Sequence, residues 1–356
     1  MATLIELLTK LVEAGGSDLH ITTDTPPQMR VHGHLQRIAD QPVLTPAETK
    51  NLAYSVLTDD QKKRFEQTKE LDCSFGLKAI GSRFRCNVFN QRGAVAAVFR
   101  VIPEKIRAFG DLGLPAVLAT LAERPRGLVL VTGPTGSGKS TTLAAILDRM
   151  NKRLAHHVVT IEDPIEFVHT NDKSVFTQRE IGPDVASFAE GVKAAIREDP
   201  DCLLVGEMRD LETMRMALTA AETGLLVFAT VHTNSAAKAV DRIIDAFPAA
   251  EQEQVRIVLA ESLRGVVAQQ LLRKKGGGRV AAHEILIGSS ALSNSIREGK
   301  TSLINNQIAT GKSKGMISMD QTLTELVRND VVEPDEALDR ALDKETFKGI
   351  IAGLKK

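Results

Sequence analysis

Leu4, Leu7, Leu8, Leu11 and Val12 recur every three or four positions, which predicts an amphipathic helix near the start of the chain. After Gly15 and Gly16 the period shortens. Residues 17–21 read as a short strand that Pro26 and Pro27 break. Residues 29–32 and 83–88 alternate large apolar with polar side chains, as half-buried antiparallel strands do. Gln91, Arg92 and Gly93 form a turn signal, and 96–101 return as a further strand. Residues 1–100 thus predict a small α+β domain. Pro103, Gly110, Gly113 and Pro115 punctuate a linker over 101–115.

The pattern then changes. Residues 127–132 are an almost unbroken apolar run, the mark of a strand covered on both faces. Similar runs stand at 158–161, 202–205 and 225–230, with helical stretches between most of them. That alternation predicts a parallel α/β sheet over 116–290. From 291 to 356 the pattern is mainly helical.

Composition narrows the function classes. The 356 residues hold one Tyr and no Trp, so Leu, Val, Ile and Ala must build the cores. Basic and acidic residues balance at 45 each. A nucleic-acid binder draws its affinity from phosphate neutralisation, so the balance argues against nucleic acid as the partner. It argues equally against tight binding to anionic lipid. Cys73, Cys86 and Cys202 lie far apart with no CxxC pair, so free thiols are expected rather than a zinc ribbon or disulfides. No stretch approaches 18 apolar residues and no basic-then-apolar leader opens the chain. The expectation is a cytoplasmic protein without direct membrane insertion.

The strongest chemical signal is Gly133, Pro134, Thr135, Gly136, Ser137, Gly138, Lys139, Ser140, followed by Thr141. It fits the G-x-x-x-x-G-K-[ST] phosphate loop, with an apolar strand before it and a helix-compatible stretch after it. Glycines let backbone N–H groups face phosphate oxygens, Lys139 reaches the β and γ phosphates, and Ser140 offers its hydroxyl to Mg²⁺. ATP and Mg²⁺ are therefore the expected cofactors. Gly311, Lys312 and Ser313 imitate the motif's end, but Asn306 stands where its first glycine should be.

Nucleotide hydrolysis also needs a carboxylate for the metal and a group to position water. Two strand ends supply acids: Glu162, Asp163 and Glu166 after one, Glu207 and Asp210 after another. Glu162 and Glu207 are the candidates, Glu207 also as a metal ligand; either could position the water. His232 follows a third strand and could sense the γ phosphate. Arg83, Arg85, Arg92 and Arg100 decorate the first domain's strands and could act as arginine fingers. His32 with His34, and His156 with His157, have no further ligands at metal spacing.

Taken together, these segments resemble the PilT family of type IV pilus retraction ATPases, within the secretion ATPase superfamily. The likeness runs through 16–20, 83–87, the phosphate loop, an Asp box at 160–166, an atypical Walker B segment at 205–210, a His box at 232–236 and a C-terminal signature at 315–321. It implies a PAS-like N-terminal domain, a RecA-like ATPase domain and C-terminal helices. It also implies a homohexameric ring, with Arg85 and Arg100 approaching phosphate at its boundaries. An inner-membrane pilus platform protein and paralogous pilus ATPases are the implied partners, at the cytoplasmic face of the inner membrane. Alternatives are an accessory ring subunit or a pilus assembly or type II secretion ATPase. Two departures stand out. Leu225 replaces a histidine of the family pattern, and the retraction-linked motif at 291–298 carries Ser293 and Ser295 in place of Arg and Leu. Serines inside a helix are expected to bond their own backbone, which would weaken motor output while leaving hydrolysis intact.

Overall fold

The computed structural model describes residues 2–102 and 105–354; Pro103, within the expected linker, lies outside the described residues. The chain divides into two units, one of 1–105 with 164–168 and one of 106–163 with 169–356.

In the first unit, α1 (Leu4–Glu13), α2 (Pro46–Tyr54) and α3 (Asp59–Thr68) each start at a threonine that closes a capping box. The reciprocal bonds satisfy donors that a helix start leaves open. α1 buries Leu4, Leu7, Leu8 and Leu11; each fully buried leucine contributes about 2 kcal/mol of transfer free energy. They pack with Leu19, Phe84 and Phe99 of the sheet. That sheet is antiparallel, in the order β3-β2-β1-β6-β5-β4. Its strands are β1 (Asp18–Ile21), β2 (Gln28–Val31), β3 (His34–Arg37), β4 (Glu70–Leu77), β5 (Ser82–Gln91) and β6 (Ala94–Ile102). Arg92 and Gly93 turn β5 into β6 with φ of 47° and 80°, the twist a two-residue hairpin loop needs. β3 and β4 add to the strands that the alternation predicts.

The second unit is a seven-stranded sheet in the order β13-β12-β7-β11-β10-β8-β9, parallel except for the β12–β13 hairpin. The strands are β7 (Gly127–Thr132), β8 (His157–Glu162), β9 (Val175–Glu180), β10 (Cys202–Val205), β11 (Leu226–Val231), β12 (Leu263–Arg273) and β13 (Arg279–Ile287). Every residue of β7, β10 and β11 is buried, so both faces of the sheet are covered. The covering helices include α4 (Val117–Ala122), α5 (Lys139–Arg153), α6 (Phe188–Ala195), α7 (Leu211–Glu222), α8 (Ala236–Asp245) and α9 (Gln252–Ser262). This is the α/β core that the apolar runs predict.

Among the described residues five α-helices follow: α10 (Ser290–Arg297), α11 (Ile304–Thr310), α12 (Met319–Arg328), α13 (Pro334–Arg340) and α14 (Lys344–Leu354). Met319, Leu323, Phe347 and Ile351 pack on Leu272 and Ala282 of the hairpin as a separate small core. Residues 311–313 follow a helix and enter a short 3-10 turn, so the imitation motif lacks the strand a phosphate loop requires. The serines of α10 behave differently from the expectation. Ser293 Oγ donates to the Ala260 carbonyl of α9 at 2.6 Å, and the buried Ser295 Oγ accepts from Gln307 Nε2 of α11 at 2.8 Å. Neighbouring helices offered better-placed partners than the serines' own turn.

Candidate nucleotide-binding site

Four parallel strands end at one edge of the second sheet. β7 opens into the loop 133–138, β8 ends at Glu162, β10 ends two residues before Glu207, and β11 ends one residue before His232. The carboxyl edge of a parallel sheet is where ligands bind in such folds.

The loop has the backbone a phosphate cradle needs. Gly133, Gly136 and Gly138 have φ of 149°, 78° and 89°. At Gly133 a Cβ would lie 2.3 Å from the Gln269 carbonyl oxygen, and at Gly138 one would lie 2.8 Å from Gln269 Nε2. α5 begins at Lys139, so the N–H groups of its first turn and its positive dipole end face the loop. Lys139 is buried, and its Nζ donates to the carbonyls of Gly133 and Pro134 at 2.9 and 3.2 Å. The ammonium thus lies along the loop. Pro134, Thr135, Gly136 and Ser140 are exposed and Thr141 is half-buried. Beside the loop a cavity of about 380 Å³ is lined by Arg107, Gly138, Thr141, Leu271, Lys274 and Arg279, among others.

Glu207 and His232 form a pair: His232 Nε2 lies 2.8 Å from Glu207 Oε1, the atom that also accepts from Arg209 Nε. Burial works against the Glu207 charge, but Arg209, His232 and Lys139 outweigh it and hold its pKa below the ordinary carboxylate value. Burial and then the Lys139 charge push the His232 pKa down, and Glu207 offsets them only partly. The carboxylate and the imidazole thus share one close contact, and Lys139 acts electrostatically on both. The pair is held from behind. Met208 N–H donates to the Thr230 carbonyl at 2.9 Å, and Thr233 N–H to Thr132 Oγ1 at 2.8 Å. The second bond ties the His232 segment to the strand that carries the loop.

The other predicted residues have partners of their own. Glu162 accepts from Thr160 Oγ1 at 2.8 Å and Gln178 Nε2 at 3.2 Å. Strand order places β11, β10 and β8 one, two and three positions from β7, which at the usual spacing puts the β8 end about 14 Å from the loop strand. Arg85 and Arg100 lie in the first unit, directly opposite each other on β5 and β6. Arg85 Nε contacts both Asp72 oxygens at 3.1 Å, and Arg100 Nε donates to Asp18 Oδ1 at 2.8 Å. Leu225 precedes β11 at the sheet edge opposite His232, where its carbonyl accepts from Gly127 N–H at 2.9 Å. The family departure at that position is therefore remote from the loop.

Sequence reading overlooks Gln269, a buried glutamine of β12 that bonds both the loop and α5. The available signal was the polar pair Gln269–Gln270 inside an otherwise apolar strand.

Parallel sheet, phosphate loop and the Glu207–His232 pair define a P-loop ATPase. The chain belongs to the Type II/IV secretion system protein family, whose model matches residues 2–351. It is 50% identical over 344 residues to the type IV pilus retraction ATPase PilT of Pseudomonas aeruginosa, covering 97% of this chain and 99% of that protein. A twitching motility protein of Neisseria gonorrhoeae is 50% identical over 342 residues, covering 96% and 91%. Among solved structures, the pilus retraction motor PilT with bound ADP is similar at a TM-score of 0.91 and 46% identity, covering 98% of this chain and all of that one.

Proposed function

We propose that this chain is a motor that hydrolyses ATP to retract type IV pili. The observation that supports retraction most directly is the end-to-end likeness to a retraction ATPase and a twitching motility protein. The loop's geometry supports the chemistry. Backbone N–H groups, the α5 terminus and Lys139 together take the β and γ phosphates. The cavity bounded by Thr141 and Leu271 accommodates the nucleoside.

No group of three His, Cys, Asp or Glu among the described residues could hold a metal alone. Mg²⁺ keeps waters and shares its coordination with substrate phosphates, so it needs few protein ligands. Ser140 and Glu207 are the residues that would hold it, and bound there it would neutralise charge developing on the phosphates. In this reading Glu162 or Glu207 positions the attacking water and His232 senses the γ phosphate. Arg85 and Arg100 supply guanidinium groups to phosphate across the boundaries of a homohexamer. The working place is the cytoplasmic face of an inner-membrane pilus platform; among the described residues no helix is long and apolar enough to cross a membrane.

Deleting the gene and complementing it with the parent sequence or Lys139→Ala tests the proposal. Deletion should leave surface pili that no longer retract, the parent sequence should restore twitching, and Lys139→Ala should not. Twitching restored by Lys139→Ala would refute it.

A further inference from the structure

The phosphate loop is held from outside by one side chain of another strand. Gln269 is 2% exposed on β12, which pairs with β7. Its Nε2 donates to the Ser137 carbonyl at 2.6 Å, and its Oε1 accepts from Thr142 Oγ1 of α5 at 2.7 Å. One amide thus grips the loop at Ser137 and the helix at Thr142, with Gly138, Lys139, Ser140 and Thr141 between them. The backbone is just as close, since a Cβ on Gly133 would meet the Gln269 carbonyl at 2.3 Å. Gln269 therefore touches the loop at its first glycine through the main chain and at Ser137 through the side chain.

The orientation of one peptide gives this grip its consequence. In a trans peptide the C=O of one residue and the N–H of the next point in opposite directions. A donor that holds the Ser137 carbonyl toward β12 turns the Gly138 N–H the other way, toward the inside of the loop. Gly138 has φ of 89°, a conformation that glycine adopts freely. Free glycine backbone needs an external restraint if its N–H is to be preoriented before an anion arrives, and preorientation is what gives such donors their strength.

We infer that Gln269 is a positioning residue of the phosphate loop, fixing the Gly138 N–H for the β phosphate of a bound nucleotide. The inference rests on the nucleotide reading of the loop. On the other side of β7, Thr233, two residues past β11, bonds Thr132, ahead of the loop's first glycine.

Titration calorimetry of the full chain with ADP and with AMP tests it in Gln269→Glu and Gln269→Met. Glu keeps the shape and an acceptor for Thr142 but sets a carboxylate oxygen against the Ser137 carbonyl. Met keeps the volume and removes both bonds. ADP affinity should fall at least about tenfold in each, as loss of one buried hydrogen bond implies. AMP has no β phosphate, so its affinity should change less than twofold. Thermal unfolding without nucleotide reports whether each variant is folded, and Met serves if Glu does not fold. Parallel weakening of ADP and AMP, or ADP affinity within twofold of the parent in a folded variant, overturns the inference. Lys139→Ala is titrated alongside. If it keeps parental ADP affinity, the nucleotide reading itself fails; if it loses ADP while Gln269 variants do not, only the Gln269 role falls.

Discussion

Adding one methyl group at two positions of the phosphate loop should have very different effects. Gly133 and Gly136 both have positive φ, 149° and 78°. Alanine at 136 meets nothing within 4 Å, so its cost is the left-handed backbone alone, about 1–2 kcal/mol. If that strain falls entirely on the bound conformation, nucleotide affinity drops roughly five- to thirtyfold. Alanine at 133 meets the Gln269 carbonyl at 2.3 Å and Ser137 Oγ at 2.6 Å. The first of these is backbone of a buried strand, paired to β7 on one side and β13 on the other, so it has little room to yield. The loop must move instead, by several tenths of an ångström or more, and hydrogen bonds to phosphate weaken steeply with such displacement. Gly133→Ala should therefore abolish measurable ADP binding and ATP turnover while Gly136→Ala stays measurable on both. Fluorescence titration with a labelled ADP and steady-state phosphate release give the comparison. Gly133→Ala binding ADP within tenfold of the parent, or Gly136→Ala proving the worse of the two, would refute the reasoning.

Glu207→Gln should retain ATP binding and lose turnover, because an amide cannot supply the carboxylate charge that Lys139 and His232 now face; Glu162→Gln should do the same if it positions water, and normal hydrolysis by either variant removes that acid from the mechanism. Arg100→Ala should lower turnover sharply without changing assembly, and a fully active monomer by light scattering would contradict a shared site. His283 is buried on β13 with its pKa pushed by burial to about 4, and its Nε2 has no partner among the described residues. A folded pKa below the unfolded one means stability is lost as pH falls from about 6.5 to about 4, by roughly 3 kcal/mol; His283→Leu should flatten that part of a thermal-unfolding pH series, and an unchanged slope would count against it. Ser295→Leu should destabilise the chain by about 1–3 kcal/mol through overpacking, since Ser295 is 6% exposed and bonded to Gln307.

Local features were legible in the sequence where the chain repeats a pattern or crowds chemistry into one segment. The phosphate loop is eight contiguous residues, and the acids and His232 stand directly after apolar runs that can only be buried strands. β3 was hidden because all four of its residues are exposed and show no alternation of burial. β4 carries Glu70, Asp72 and Gly76 among its eight residues, a composition poor in strand formers. Residues 164–168 group with the first unit although the second flanks them on both sides, a division that no reading along the chain reveals. Gln269 was missed because its partner Ser137 is 132 positions away, and Ser293 because Ala260 is 33 away. A serine's helix is visible in sequence; its alternative hydrogen-bond partner is not.

The arginines of the first sheet show what register adds. Sequence spacing leaves Arg85 and Arg100 as two polar positions on different strands. Register sets them directly opposite each other, an arrangement of like charges that destabilises a sheet. Two carboxylates compensate from the flanking strands: Asp72 on β4 takes Arg85, and Asp18 on β1 takes Arg100. Asp18 is almost fully buried; burial opposes its charge, yet bonds from Ser17 and Arg100 hold its pKa below the usual value. Arg100 itself is 66% exposed. Both guanidinium groups are thus anchored by acids, and that of Arg100 is open to solvent. An anionic ligand that draws Arg100 from Asp18 must outcompete that carboxylate, so Asp18→Asn should tighten or quicken the engagement of phosphate if Arg100 is a finger. Turnover that falls in Asp18→Asn while the protein stays folded would instead make Asp18 the residue that aims the guanidinium.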